Sequence, residues 1–312
     1  MMSVSNRENK GRVSLRLALD AMGTRFELLI ADDASETAIR ALGEDALACI
    51  DDWHRRLSAF DKGSVVSAIN AGAGTRAVRV DRDMLDLLLA CRRWHAETCG
   101  AFDVTLGALM QHHGFRGDAS VVSQSPAFGM RYVEIDEDQD AVFLSHPDVQ
   151  LDFGGVAKGW AIDEACENLK ESGVVSAIIH GGTSTAKAIG VRPDGKPWRV
   201  KVHGDDDAPA ALLAGASLSV SAPSGRVNDR QQGHVLDPRT GGPTKALNLA
   251  AAIADNAAAS DMWATALLVM GKRPESMPGT IASILHLADG SWRIEGESTV
   301  RCIAANIKGR DT

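Results

Sequence analysis

The chain has 312 residues, 45% of them hydrophobic, and a formal net charge of −8 at pH 7. This size and composition suit a globular protein with a large core, and the acidic balance argues against nucleic acid or an anionic membrane as the main partner. Because the sequence shows neither an apolar signal segment of about 7–15 residues nor a run of about 20 apolar residues, we expect a cytoplasmic protein without a membrane span.

The N-terminal part predicts a tail, a strand and two helices. Residues 1–12 are polar and charged, which favours a disordered tail ahead of a single domain over residues 13–312. The apolar run at residues 25–30 predicts a strand. One helix is predicted after Ser35 and a second after Asp81 or Asp83, because apolar residues follow at helical spacing.

The segment LDFGGVAKGW, residues 151–160, predicts a strand end, a tight turn and a helix N-terminus. Two glycines let a ligand approach the backbone, and the first-turn amides of a helix suit a phosphate, to which Lys158 adds a charge. Asp152 is unexpected there, because an acid repels phosphate unless it binds a sugar, a base edge or a metal. A plain turn before a buried helix remains an equally good interpretation.

Two motifs follow further along the chain. A predicted strand at residues 174–179 ends in a second glycine pair, which suggests another close approach to the same ligand, and the segment GHVLDPRTG places His234 before a strand-like Val-Leu pair. Taken alone, His234 is better explained as a structural histidine. Residues 132–135 with 141–144, and 281–287 with 292–294, predict hairpins.

A predicted helix at residues 259–271 carries Asp261 and Thr265 at a spacing of four, and therefore on one face. Their oxygens are hard ligands of the kind that Mg²⁺ prefers. The structural alternative is that Asp261 favours the helix dipole and Thr265 is a packed hydroxyl.

Together these stretches resemble one family, the ApbE-like FAD:protein FMN transferases. The matching residues are 22–24, 57–70, 101–109, 151–163, 234–241 and 260–267, and the order LDFGGVAKGWAID, HVLDPRTG, SDMWATAL is specific. The resemblance implies an α+β fold with mixed or antiparallel sheets and packed helices, and with FAD and Mg²⁺ held between its halves.

The resemblance also implies roles for individual residues. It places Asp152 and Lys158 against FAD, and it implies a Mg²⁺ site formed by the Gly155 main chain, Asp261 and Thr265. The remaining residues that it implies line the flavin nucleotide: Met22, Phe60, Ala101, Phe102, Asp103 and Val235. Phe60 stands where many relatives carry tyrosine, and Ala264 fills a position that is acidic in some relatives.

The implied activity is Mg²⁺-dependent transfer of FMN from FAD to a Thr or Ser hydroxyl of a separate acceptor flavoprotein, with release of AMP. We assign His234 as the general base, with Asp237 able to orient its ring. Two alternatives stay open: a protein that binds FAD without transferring FMN, and a hydrolase that gives FMN and AMP. The absence of an export segment predicts a cytosolic acceptor.

Overall fold

The computed structural model describes residues 13–32, 35–117, 123, 125–205, 207–225, 228, 233–296 and 302–303. The strands, in chain order, are β1 (Val13–Ala21), β2 (Thr24–Asp32), β3 (Val78–Arg79), β4 (Val133–Asp136), β5 (Ala141–Leu144), β6 (Ala177–Gly181), β7 (Thr185–Ile189), β8 (Trp198–Lys201), β9 (Ala210–Leu213), β10 (Ser217–Ser221), β11 (Leu236–Asp237), β12 (Gly242–Pro243), β13 (Leu249–Ala254), β14 (Ala282–His286), β15 (Trp292–Glu295) and β16 (Cys302–Ile303). The helices are α1 (Glu36–Leu57), α2 (Val65–Ala71), α3 (Arg82–Glu97), α4 (Gly107–His112), α5 (Ala157–Glu171) and α6 (Ala257–Met270). The predicted tail lies outside the described residues.

The central layer is an eight-stranded antiparallel sheet in the order β1-β2-β6-β7-β10-β13-β14-β15. Side chains alternate between its two faces, as the pleat requires. On β2, Phe26, Leu28 and Ile30 are fully buried in the larger apolar cluster. Tight turns join β1 to β2 and β6 to β7, so neighbours in the sequence become neighbours in the sheet.

Helices α1, α5 and α6 contribute to that larger cluster, and α6 is its most deeply buried helix. Buried residues occur on every side of α6, as expected of a helix inside a core. Its first amides are held by another helix: the Asp163 carboxylate of α5 accepts from the Ala257 and Ala258 N–H groups, each at 2.8 Å. The side chain of Asn256 caps the Ala259 N–H at 2.7 Å.

A second, smaller sheet, β16-β9-β8, packs against the central sheet through a separate apolar cluster. Trp198 and Leu213 of the small sheet meet Leu218 and Ile253 of the central sheet there. A third sheet, β3-β5-β4, accompanies α2 and α3. Among the helices of the described ranges, none has the length and apolar character needed to cross a bilayer.

The α+β prediction is confirmed, and so are both hairpins, β4–β5 and β14–β15. One local prediction was wrong: residues 151–153 are not a strand end, and the neighbouring Gln150 makes only an isolated parallel bridge with Leu106. Proximity in the sequence also predicts no partner for β8, which pairs with β9 rather than with the segment that precedes it. The choice of pairing partner is long-range information, which local periodicity does not contain.

Candidate active site

A cavity of about 350 Å³ opens where the β1–β2 turn, the segment before α5, the loop after β10 and helix α6 meet. Ligand pockets occupy about 300–1,000 Å³, so the space is adequate for binding. All the predicted site residues except Phe60 line it: Met22, Ala101, Phe102, Asp103, Asp152, Gly155, Lys158, His234, Val235, Asp261 and Thr265. Residues separated by up to some 240 positions therefore converge on one space.

Met22 reaches the cavity because the β1–β2 turn adopts an unusual backbone. Met22 and Gly23 both have positive φ, 51° and 71°, as a two-residue type I′ hairpin turn requires. Positive φ is uncommon for a residue with a Cβ. The Met22 N–H donates to Nδ1 of His54 on α1 at 3.2 Å, which ties the turn to the helix layer.

The corner before α5 differs in part from the predicted anion site. The Ala157 N–H donates to the Phe153 carbonyl at 2.8 Å, and the Gly159 N–H donates to Asp261 Oδ2 at 3.2 Å. These two amides of the helix start are therefore engaged within the protein. Gly155 lies close to α6, since a Cβ there would be 3.3 Å from Thr265 Oγ1, a tight contact.

Asp261 is the electrostatic centre of the site. It is only 2% exposed, and its carboxylate meets Lys158 Nζ at 3.6 Å and accepts from Thr185 Oγ1 at 3.4 Å. Burial raises the pKa of Asp261, while the Lys158 charge and the hydrogen bond from Gly159 oppose that shift. A buried carboxylate with one lysine nearby is well suited to attract a cation.

Hydroxyl oxygens lie next to this carboxylate. Thr265 Oγ1 lies 3.3 Å from Ser221 Oγ of β10 and donates to the Asp261 main-chain oxygen at 3.2 Å. Among the described residues, no group of three or more His, Cys, Asp or Glu side chains could hold a metal. A cation here would therefore rely on one carboxylate and neutral oxygens.

Asp103 is a second buried acid at the cavity, and it is firmly held. Its Oδ1 accepts from the Thr105 N–H at 2.8 Å and from the Thr105 hydroxyl at 2.6 Å, and His95 Nδ1 lies 3.5 Å from its Oδ2. Burial raises the pKa of Asp103, and the two bonds from Thr105 oppose the shift. Phe102 beside it packs edge-on against Trp94, with ring centroids 6.3 Å apart.

His234 and Val235 enter the cavity from the loop that leads to β11. A Cβ at Gly225 would lie 3.4 Å from His234 Cε1, so the two loop segments are in close contact. The Asp237 carboxylate accepts from the Arg239 side chain at 2.8 and 2.7 Å. Those bonds lower the pKa of Asp237.

Phe60 is the predicted residue that the structure does not bring to the cavity; its side chain is 67% exposed. Conversely, Thr183, Ser184 and Ser221 line the cavity without having been predicted as site residues. The second glycine pair was the available signal for Thr183 and Ser184. Nothing local marked Ser221, whose position depends on β10 lying beside α6.

Known proteins resemble this chain over most of its length. An FAD:protein FMN transferase of Klebsiella pneumoniae is 29% identical over 272 residues, which cover 80% of this chain and 77% of that protein. An FAD:protein FMN transferase of Rhodobacter capsulatus is also 29% identical, over 77% of this chain and 48% of its own length. The crystal structure of the ApbE protein from Thermotoga maritima shares the fold, with a TM-score of 0.80 at 24% identity, and covers 90% of this chain and 97% of that one.

The profile of the ApbE family matches residues 22–279. That range begins at Met22 in the β1–β2 turn and extends beyond α6, so it contains all the residues that line the cavity. The resemblance found from the motifs is thereby confirmed, and the chain belongs to the ApbE family.

Proposed function

We propose that this chain is an FAD:protein FMN transferase, which attaches FMN to a Thr or Ser hydroxyl of a separate flavoprotein. The observation that carries the proposal is the convergence of Lys158, the buried Asp261 and His234 on one cavity. The similar proteins of Klebsiella pneumoniae and Rhodobacter capsulatus bear the name of this activity. In the reaction, the hydroxyl oxygen bonds to the FMN phosphorus, the pyrophosphate P–O bond breaks, and AMP leaves.

Lys158 supplies positive charge to the pyrophosphate. It stands on the first turn of α5, and its side chain is 19% exposed at the cavity. A transferring phosphoryl group spreads negative charge over its oxygens, which a fixed ammonium stabilises. Asp261 keeps that ammonium in place at 3.6 Å.

The oxygen set around Asp261 fits Mg²⁺. Asp261 gives a carboxylate, Thr265 a hydroxyl and Gly155 a main-chain carbonyl, and hard oxygens with few protein charges are typical of Mg²⁺ sites that share substrate phosphates. When bound, Mg²⁺ would neutralise charge on the pyrophosphate.

The flavin nucleotide would contact Met22, the segment Ala101, Phe102 and Asp103, Asp152 and Val235. Phe60 joins this set only if its loop approaches the bound flavin, because its side chain is exposed to solvent. A Phe in place of tyrosine keeps an aromatic face for stacking and lacks the hydroxyl.

His234 accepts the proton of the acceptor hydroxyl. An imidazole with a pKa near about 6.5 can serve as a base at cytosolic pH, and such a base contributes about 10²–10⁴-fold. Support for this role is its place on the cavity wall beside Val235. Because Asp237 is bound to Arg239, the proposal assigns no orienting role to Asp237.

The acceptor is a different chain. The proposed location of this protein and of its acceptor is the cytoplasm. Neither GAGTRA at residues 72–77 nor GGTSTA at residues 181–186 fits the acceptor pattern of the family, an acid followed by Ser/Thr-Gly/Ala-Ala-Thr/Ser. The single domain over residues 13–312 is likewise part of the proposal.

The test is incubation of the protein with FAD, Mg²⁺ and candidate acceptors, followed by mass spectrometry of the acceptor and measurement of AMP. Transfer predicts an FMN mass increment on the acceptor and AMP in equal amount. AMP without an acceptor would favour the hydrolase. Tight FAD binding without any AMP would favour a flavin-binding protein.

A further inference from the structure

Asp152 presents a charge problem at the cavity. Its Oδ1 accepts from the Gly154 N–H at 2.9 Å, which leaves Oδ2 as the oxygen whose charge must be compensated elsewhere. A carboxylate that lines the same cavity as Lys158 would repel a phosphate bound there. Arg116 forms an ion pair with this oxygen, its Nη1 lying 3.7 Å from Oδ2.

Arg116 does not line the cavity, and its position is built by other groups. Its side chain is 11% exposed, and Nη1 donates to the Leu151 carbonyl at 3.3 Å. The same carbonyl accepts from Asn70 Nδ2 at 3.1 Å. Gly107 makes room for the guanidinium, since a Cβ there would lie 2.7 Å from Nη1.

Burial lowers the pKa of Arg116, and Asp152 opposes that shift. An arginine nevertheless stays charged at neutral pH, because its ordinary pKa is above about 12. Arg116 therefore provides a fixed positive charge next to Asp152, the acid that lines the cavity. The segment after α4, which carries Arg116, is otherwise outside the proposed machinery.

We propose that Arg116 is a positioning residue for Asp152: it holds Oδ2 and cancels the charge of the acid, so that Asp152 can contact FAD without repelling its phosphates. This inference rests on the proposed function in that FAD is taken as the ligand. It explains why an acid is tolerated beside a phosphate-binding lysine.

The experiment measures the Kd of FAD from flavin fluorescence, in the full chain with Mg²⁺ and without an acceptor. Arg116→Met should raise the Kd about tenfold, which corresponds to about 1.4 kcal/mol. Arg116→Lys, which keeps the charge, should raise it by less than about threefold. Arg116→Gln, which can still donate to the Leu151 carbonyl, should behave like Arg116→Met.

A double-mutant cycle separates action through Asp152 from general support of the fold. In an Asp152→Asn background, Arg116→Met should change the Kd by less than about twofold, because no carboxylate remains to be compensated. Arg116→Met alone should weaken the binding of riboflavin, which has no phosphate, less than the binding of FAD. If the Arg116→Met variant does not show a cooperative thermal unfolding transition, Arg116→Gln replaces it in the double-mutant cycle.

Arg273→Met is the matched control. Arg273 is also a partly buried arginine that donates to main-chain carbonyls, those of Ile281 at 2.7 Å and Pro278 at 2.8 Å, and it does not line the cavity. The Kd of FAD for the Arg273→Met variant should equal that for the unaltered chain. If the effects of Arg116→Met and Asp152→Asn on the Kd multiplied in the double variant, or if Arg116→Met left the Kd unchanged, the inference alone would be overturned. Absence of FAD binding by the unaltered chain would overturn the proposed function as well.

Discussion

The cavity has two unlike walls. One is the contact between α5 and α6, where Asp261, Lys158 and Thr265 lie on two packed helices and the first amides of α6 donate to Asp163 of α5. The other consists of loops, with Met22 in the β1–β2 turn and His234 on the segment before β11. The helical wall holds charge at fixed positions, and the loop wall carries the groups that would meet the flavin and the acceptor.

This difference follows from the cost of burial. A carboxylate that is almost fully buried needs partners at fixed distances, and packed helices provide them. Groups that admit substrates must remain accessible, and loops on a rigid scaffold allow this. The four predictions that follow test whether the helical wall carries the charge chemistry and the loop wall the proton transfer.

The largest effect is expected for Asp261→Ala on the helical wall. Transfer should fall by more than about 10³-fold, because the neutral oxygens of Thr265 and Gly155 cannot replace a carboxylate on Mg²⁺. FAD should still bind, with modestly lower affinity, and Thr265→Val should be milder. Isothermal titration with Mg²⁺ provides a readout apart from activity; Mg²⁺ affinity unchanged in Asp261→Ala would contradict the metal assignment.

His234→Ala tests the loop wall. Transfer should fall by about 10²–10⁴-fold while FAD and Mg²⁺ bind nearly normally, because only proton removal is lost. The limb of the pH–rate profile near neutrality should disappear with the imidazole. A variant that loses FAD affinity or its thermal transition instead would assign His234 a structural role.

Asp163→Ala tests what fixes the helical wall. Asp163 accepts from two amides at the start of α6 and pairs with Lys187, which is itself buried. Its removal leaves a buried cation and two helix amides without their partner, so we expect a loss of about 3 kcal/mol in the free energy of unfolding. Denaturant unfolding measures this, and Arg293→Ala, which removes an exposed side chain on β15, is the control.

The smallest effect is expected for Asp237→Ala. Its pKa is lowered in the folded chain by Arg239, so its contribution to stability is present above the unfolded pKa of about 3.9 and is lost as the pH falls through the lower folded value. The pair is largely exposed on the arginine side, so the contribution is about 0.2–1 kcal/mol. Transfer and its pH profile should be unchanged, whereas loss of the neutral limb would restore Asp237 as the partner of His234.

The sequence by itself determined the family, the α+β class and eleven of the residues that line the cavity. Helical spacing placed Asp261 and Thr265 on one face, and the motif order identified residues from Met22 to Val235 that the structure brings together. Such information is local, since periodicity and short motifs are fixed by neighbours in the chain.

Tertiary structure alone decided how these residues are partnered. Gly159 gives its amide to Asp261 rather than leaving it for a phosphate, and Asp237 forms an ion pair with Arg239. Ser221 reaches Thr265 through sheet order, and Arg116 reaches the Leu151–Asp152 segment across 35 positions. These contacts depend on which strands pair and which helices pack, and no local pattern records the long-range competition among polar partners that sets them.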